Sequence, residues 1–123
     1  MWKPLLIIWI GSGLGGVLRY LVQEFVLRHF HTVFPLGTFL INIAGCFTIG
    51  ILFAISEKYT WMNGEWRWFL ITGLCGGFTT FSSFSCENIS LLRHGDYLYF
   101  TLYLVLSVLL GLLATFLGTI TIK

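Results

Sequence analysis

Charged residues fall in narrow bands along this chain, separated by long apolar runs. Four stretches contain no Asp, Glu, Lys or Arg: Pro4–Leu18 (15 residues), His29–Ser56 (28), Trp68–Cys86 (19) and Tyr97–Ile122 (26). A helix that crosses the hydrocarbon core of a bilayer needs about 20 predominantly apolar residues. The pattern predicts an all-α membrane protein with four transmembrane helices, near Leu5–Val26, Gly37–Ser56, Trp68–Leu92 and Leu98–Ile120. Short loops over His29–Pro35, Glu57–Arg67 and Arg93–Asp96 join them, so residues 1–123 are expected to form one four-helix domain. The first run also has the outline of a signal peptide, but removing it would leave three spans and take Arg19 out of its helix.

Composition removes whole classes of function. The chain is 57% hydrophobic, 18% aromatic and 10% charged, where a soluble domain carries about 25% charged residues. Seven Lys/Arg and five Asp/Glu cannot cover a water-facing surface. A net charge of +2 with this apolar content also excludes disorder. The scattered basic residues form no face for nucleic acid, which is not an expected partner. Cys46, Cys75 and Cys86 are odd in number and lie in apolar runs without C-x-x-C spacing, so they read as small buried residues. Four spans place Lys3, Lys58, Arg67 and Lys123 on one side and Arg28 and Arg93 on the other. Orientation follows the Lys/Arg excess, and with so small an excess the chain is expected to insert both ways round.

Polar groups inside a span are costly and mark function. Thr38, Asn42 and Gly45 share one face of the second span, and Tyr103, Ser107, Gly111 and Thr115 repeat every four residues on the fourth. Such stripes either tie helices together by hydrogen bonds or line a path. Gly11-Ser12-Gly13-Leu14-Gly15-Gly16 fits G-x-G-x-x-G, but a dinucleotide site also needs an acid about 20 residues on. No acid lies between Phe25 and Ser56. These glycines read instead as contact points between helices.

The third span carries the strongest signal. Gly73-Leu74-Cys75-Gly76-Gly77-Phe78-Thr79-Thr80-Phe81-Ser82-Ser83-Phe84 is a poor helix, since each glycine costs about 0.8–1 kcal/mol relative to alanine. It predicts a helix broken in mid-membrane, which is tolerated only where the freed backbone faces protein or water. Broken helices of this kind present carbonyls and amides to an ion. The carbonyls around Gly76–Thr79 are candidate ligands for a hard cation. Phe81 and Phe84 follow at i, i+3 among Ser and Thr residues.

Three blocks in order, Gly15-Gly16-x-x-Arg19-Tyr20, Pro35-x-Gly37-Thr38-x-x-x-Asn42-x-x-Gly45-x-Phe47-x-x-Gly50 and Gly76-Gly77-x-Thr79-Thr80-Phe81-Ser82-Ser83-Phe84, resemble the small bacterial fluoride channels of the Fluc or CrcB type. The resemblance implies an antiparallel, dual-topology homodimer in the bacterial plasma (inner) membrane, with two fluoride pores and one structural Na+ on the two-fold axis. It assigns Gly76 and Thr79 as carbonyl ligands of that sodium. Phe81 and Phe84 would line the pores beside the Asn42 amide. Thr38, Ser83, Tyr103 and Ser107 would extend a polar track, with Arg19 near a vestibule. Ser83 stands where the family usually has Thr, and Gly111 where some members carry a second serine. The chemistry is coherent: fluoride is small and strongly hydrated, and amide, hydroxyl and polarised ring-edge hydrogens replace its water. Weak serial contacts let the ion leave as well as enter.

An enzyme is not expected, because no nucleophile, base and orienting group come together; His29, His31 and His94 lie in or beside loops. The competing reading is a proton-coupled exporter of organic cations, which needs a membrane-embedded carboxylate; Glu24 and Glu87 are its candidates. A membrane assembly factor is a third class, against which the polar third span argues. Asn88-Ile89-Ser90 matches a glycosylation sequon beside a span, and chance accounts for it.

Overall fold

A computed structural model describes residues 1–122. Helix α1 covers Trp2–His29 and α2 covers Leu36–Lys58, followed by a 3₁₀ turn at Thr60–Met62. The third apolar stretch is composite. Its first half, α3 (65–78), passes from an α-helical turn at Glu65–Arg67 through a wider π-helical stretch, Trp68–Cys75, to a final turn at Gly76–Phe78. Thr79 (φ −81°, ψ 156°) and Thr80 (φ −148°, ψ 115°) are extended, and helix resumes as α4, Phe81–Arg93. Helix α5 spans Tyr97–Thr121. The described residues contain no strand and four stretches long and apolar enough to cross a membrane: Trp2–His29, Leu36–Lys58, Glu65–Arg93 and Tyr97–Thr121.

Each stretch overruns the span read from the sequence by one to three residues at an end. The reason is that backbone hydrogen bonding does not stop where hydrocarbon stops. Lys3, Arg28, Lys58, Glu65 and Arg93 stay helical while their charged heads reach out to the interface. At one end, Lys3 pairs with Glu65, and Arg67 donates to Ser56 Oγ (3.0 Å) while covering the Phe53 ring (4.9 Å to its centroid). The starts of α1 and α3 and the end of α2 thus share one side, as alternating spans require. At the other end Gly95 (φ 75°) closes α4: its N–H donates to Leu92 O (3.1 Å), and Asp96 N–H donates to Leu91 O (2.9 Å). This glycine-dependent helix stop turns the chain tightly into α5 and leaves Arg93 in the last turn of α4.

Lipid tails are as apolar as leucine, so burial does not drive these helices together; close backbone contact does. Helix α1 lies along α3, α2 along α5, and α4 packs on α5. A Cβ on Gly15 would strike the Leu74 carbonyl oxygen, and one on Gly77 would strike the Ser12 backbone. Gly50 and Gly118 make the equivalent approach between α2 and α5. The large apolar side chains point the other way, with Trp9, Leu109, Leu112 and Phe116 all exposed.

These contacts predict opposite signs for two neighbouring substitutions. Gly15→Ala overpacks a backbone contact, which costs about 1–3 kcal/mol, against a helix-propensity gain of at most about 1 kcal/mol. It is expected to lower the thermal midpoint of the purified protein. Gly13→Ala, with open space around it, is expected to hold or raise that midpoint. Equal behaviour in thermal melts would overturn the contact account.

Candidate ion pathway

Backbone groups released by a helix interruption cannot be left bare in apolar surroundings, where each costs several kcal/mol. Here side chains of neighbouring helices take them up. Asn42 Nδ2 donates to Thr80 O (3.0 Å), and Thr80 N–H donates back to Asn42 Oδ1 (2.9 Å). Arg19 Nε donates to Gly77 O (3.2 Å). Thr79 N–H and Oγ1 both donate to Cys75 O, at 3.0 and 3.1 Å. Thr80 Oγ1 caps α4, accepting from Ser83 N–H (3.2 Å) and donating to Ser83 Oγ (3.1 Å). A Cβ on Gly45 would collide with the Thr79 methyl group. Asn42-x-x-Gly45 therefore forms a cradle, with an amide for one threonine and a gap for the other. Because Thr80 N–H turns to Asn42, the Gly76 carbonyl loses the i+4 donor that a continuous helix would supply.

A cavity of about 390 Å³ opens beside this interruption, lined among others by Asn42, Gly76, Thr79, Phe81, Phe84 and Ser107. The Phe81 and Phe84 rings lie 5.7 Å apart at 44°. Phe84 is buried, whereas Phe81 is 78% exposed. Ser107 Oγ is buried and has no hydrogen-bond partner. One N–H of the Asn42 amide remains free, since the other serves Thr80. Six of the ten residues read from the sequence as site residues meet here.

Two others form a separate network. Tyr103 OH donates to Glu87 Oε1 (2.9 Å), and Thr38 Oγ1 donates to Glu87 Oε2 (3.0 Å) while accepting from Gln23 Nε2 (2.9 Å). Thr38 and Tyr103 are fully buried. The Tyr103 ring packs against Phe84 at 4.9 Å between centroids, which joins this network to the cavity. A side chain on Gly37 would occupy the place of the Gln23 amide, so Gly37-Thr38 is one unit: a slot for the glutamine and its acceptor. Arg19 and Ser83 attach to the interruption itself rather than to the cavity wall.

Residues 6–119 match the family described as CrcB-like protein, Camphor Resistance (CrcB). The chain belongs to the CrcB family. It is 50% identical over 121 residues to a protein of Flavobacterium psychrophilum named fluoride-specific ion channel FluC, covering 98% of each chain. Proteins of the same name from Azobacteroides pseudotrichonymphae (44% over 120 residues, 98% of this chain and 96% of the relative) and Phocaeicola vulgatus (47% over 116 residues, 94% and 95%) are similarly close. With four apolar spans, this CrcB-family chain is a multi-pass membrane protein.

Sequence reading passed over Gln23 and left Glu87 without a partner. The signal for Gln23 was its position four residues after Arg19, on the same face of α1. Asn88, of the apparent sequon, is only 6% exposed, and its amide donates to Phe84 O (2.8 Å); in the folded chain it is closed to glycosylation.

The geometry separates two polar residues of one cavity. Asn42→Leu removes both bonds to Thr80, and stranding buried polar groups costs about 1–3 kcal/mol each. A clear fall in the thermal midpoint is expected. Ser107→Ala removes a hydroxyl that bonds nothing and is expected to leave the midpoint unchanged or raised. Thermal melts of both variants check this; a stable Asn42→Leu protein would remove the clamp.

Proposed function

We propose that this protein is a fluoride-selective channel that lets the ion leave a bacterial cell passively across the plasma membrane. The observation that carries the reading is the cavity uniting a free amide N–H on Asn42, an unpartnered hydroxyl on Ser107 and two aromatic rings. Those groups present donors or polarised C–H edges, which suit an anion. The near-full-length relatives named fluoride-specific channels support the choice of ion. Ser83 and the network of Thr38 and Tyr103 extend the donors away from the rings, and Arg19 stands beside the path. The exporter reading needs a carboxylate free to bind a cation. Both oxygens of Glu87 already accept hydroxyl hydrogens, and Glu24 lies 3.9 Å from Arg28.

Purified protein in liposomes is expected to release fluoride electrogenically, and neither chloride nor a quaternary ammonium ion. Phe81→Ile or Phe84→Ile keeps bulk and apolarity but removes the ring edge. At least one of these variants is expected to lose most of the fluoride flux while remaining folded and assembled. Near-normal flux in both would refute the aromatic-edge mechanism.

The working unit in this reading is a homodimer of oppositely inserted subunits, with two pores and a third span interrupted in mid-membrane. A structural sodium ion would sit between the two interruptions, held by the Gly76 and Thr79 carbonyls of both copies. The residues fit such an ion: Gly76 O has lost its helical donor, and neutral carbonyls are the ligand type a hard monovalent cation takes. A cysteine introduced at Asn63 is expected to be labelled from both sides of the membrane, and replacing all alkali cations by choline to weaken the dimer. One-sided labelling would sink the opposed arrangement, and indifference to cations the sodium site.

A further inference from the structure

We propose that Arg93 is the charge that gathers anions at the outer mouth of the pathway. The inference rests on the channel reading and adds to it a residue that the three sequence blocks do not contain. Helix α4 has two unlike faces. Phe84, Asn88 and Leu91 are buried in the subunit, whereas Ser82, Ser85, Ser90 and Arg93 are exposed on the outside. A groove of about 620 Å³ follows that outer face, with Phe81 at one end and Arg93 and His94 at the other. From residue 82 to residue 93 the helix rises about 17 Å, over half the thickness of a hydrocarbon core. Ser82, Ser85 and Ser90 place hydroxyls over about 12 Å of that face, interrupted by Cys86 and Ile89, and hydroxyls there suit a water-filled funnel leading to the Phe81 ring better than lipid tails.

The arginines of the chain differ in what they hold. Arg19 donates to Gly77 O, Arg28 lies against Glu24, and Arg67 bonds Ser56 and covers Phe53. Among the described residues Arg93 makes neither an ion pair nor a side-chain hydrogen bond. Asp96, the nearest acid along the chain, folds back through its backbone N–H to Leu91 O. His94 Nδ1 lies 2.8 Å from Ser90 O, so that ring nitrogen is already engaged. The glycine stop at Gly95 fixes Arg93 at the mouth. An uncommitted guanidinium there raises the local concentration of anions and is not itself a binding site on the path. One unit charge in water, acting within a Debye length, changes that concentration about two- to threefold.

The test is electrogenic fluoride efflux from liposomes of neutral lipid at sub-saturating fluoride, with an impermeant salt setting ionic strength. At about 0.01 M, where the Debye length is about 30 Å, Arg93→Lys is expected to match the parent. Arg93→Gln should fall about two- to threefold, and Arg93→Glu about four- to ninefold. At about 1 M, where charges are screened beyond about 3 Å, all four proteins should converge, with fluoride-over-chloride selectivity unchanged throughout. Equal flux at low ionic strength overturns the proposal. So does a loss that persists at high ionic strength, which marks a structural role. A loss seen only with anionic lipid overturns it as well, because Arg93 is then a headgroup anchor. Should Arg93→Glu fail to assemble, Arg93→Gln decides alone. Absence of fluoride flux in the parent protein overturns the channel reading instead, so the two failures are told apart.

Discussion

The backbone at Thr79–Thr80 leaves the helix inside an apolar surrounding, and its released N–H and C=O groups must find partners there. Much of the molecule follows from that requirement. Asn42 occupies its face of α2 because one amide can serve the donor and the acceptor of Thr80 together. Gly45 is small because the Thr79 methyl needs its volume. Helix α1 carries glycines toward α3 because only a backbone-to-backbone approach brings Arg19 within reach of Gly77 O. Thr80 then caps the second half-helix. Residues that look like separate motifs along the chain are the several sides of one joint.

That joint also sets the electrostatics of the pathway. A guanidinium free inside the cavity would hold a small anion too tightly to release it, since Coulomb attraction grows steeply as the dielectric falls. Arg19 is spent on a backbone carbonyl, which spreads its charge over the end of a half-helix. What faces the cavity is weaker: one amide N–H, one hydroxyl and two ring edges. The Glu87 carboxylate would repel an anion, yet both its oxygens are held by Tyr103 and Thr38, and the Tyr103 ring packs on Phe84 of the cavity wall. In the proposed channel, moderate donors in series with strong charges tied down would let a strongly hydrated ion leave as well as enter.

Legibility in the sequence followed the range of each interaction. Span count and order were plain because charge-free length is a one-dimensional property, and the larger offsets, two or three residues, fall where charged side chains reach out from a continuing helix. Glycine and threonine in succession announced trouble for the third span, since propensity is local. Pairings across 38 to 58 residues, Asn42 with Thr80 and Arg19 with Gly77, left no trace that spacing could reveal. Glu87 is the clearest case. Read along the chain it was a candidate carboxylate for a proton-coupled exporter, though not isolated in mid-helix; its partners come from α2 and α5, and only folding brings them to it. Thr38 and Tyr103, read from the sequence as part of a polar track, both donate to Glu87 in the folded chain.

Phe81 turns most of its ring outward, the cavity is open on that side, and the serine face of α4 meets nothing in its own chain. Exposed leucines and phenylalanines on α5 need no explanation in lipid, but an aromatic ring beside a cluster of hydroxyls and a freed carbonyl does. In the proposed dimer, a second copy related by a two-fold axis in the membrane plane would answer all three at once. It would close the open side and bring a second set of Gly76 and Thr79 carbonyls against the first. It would also turn each α4 groove into the approach to a path. The near balance of Lys and Arg across the two sides fits the same arrangement, since only a chain without a strong orientation preference can supply both halves. In the proposed dimer, two copies facing each other would enclose the path between them.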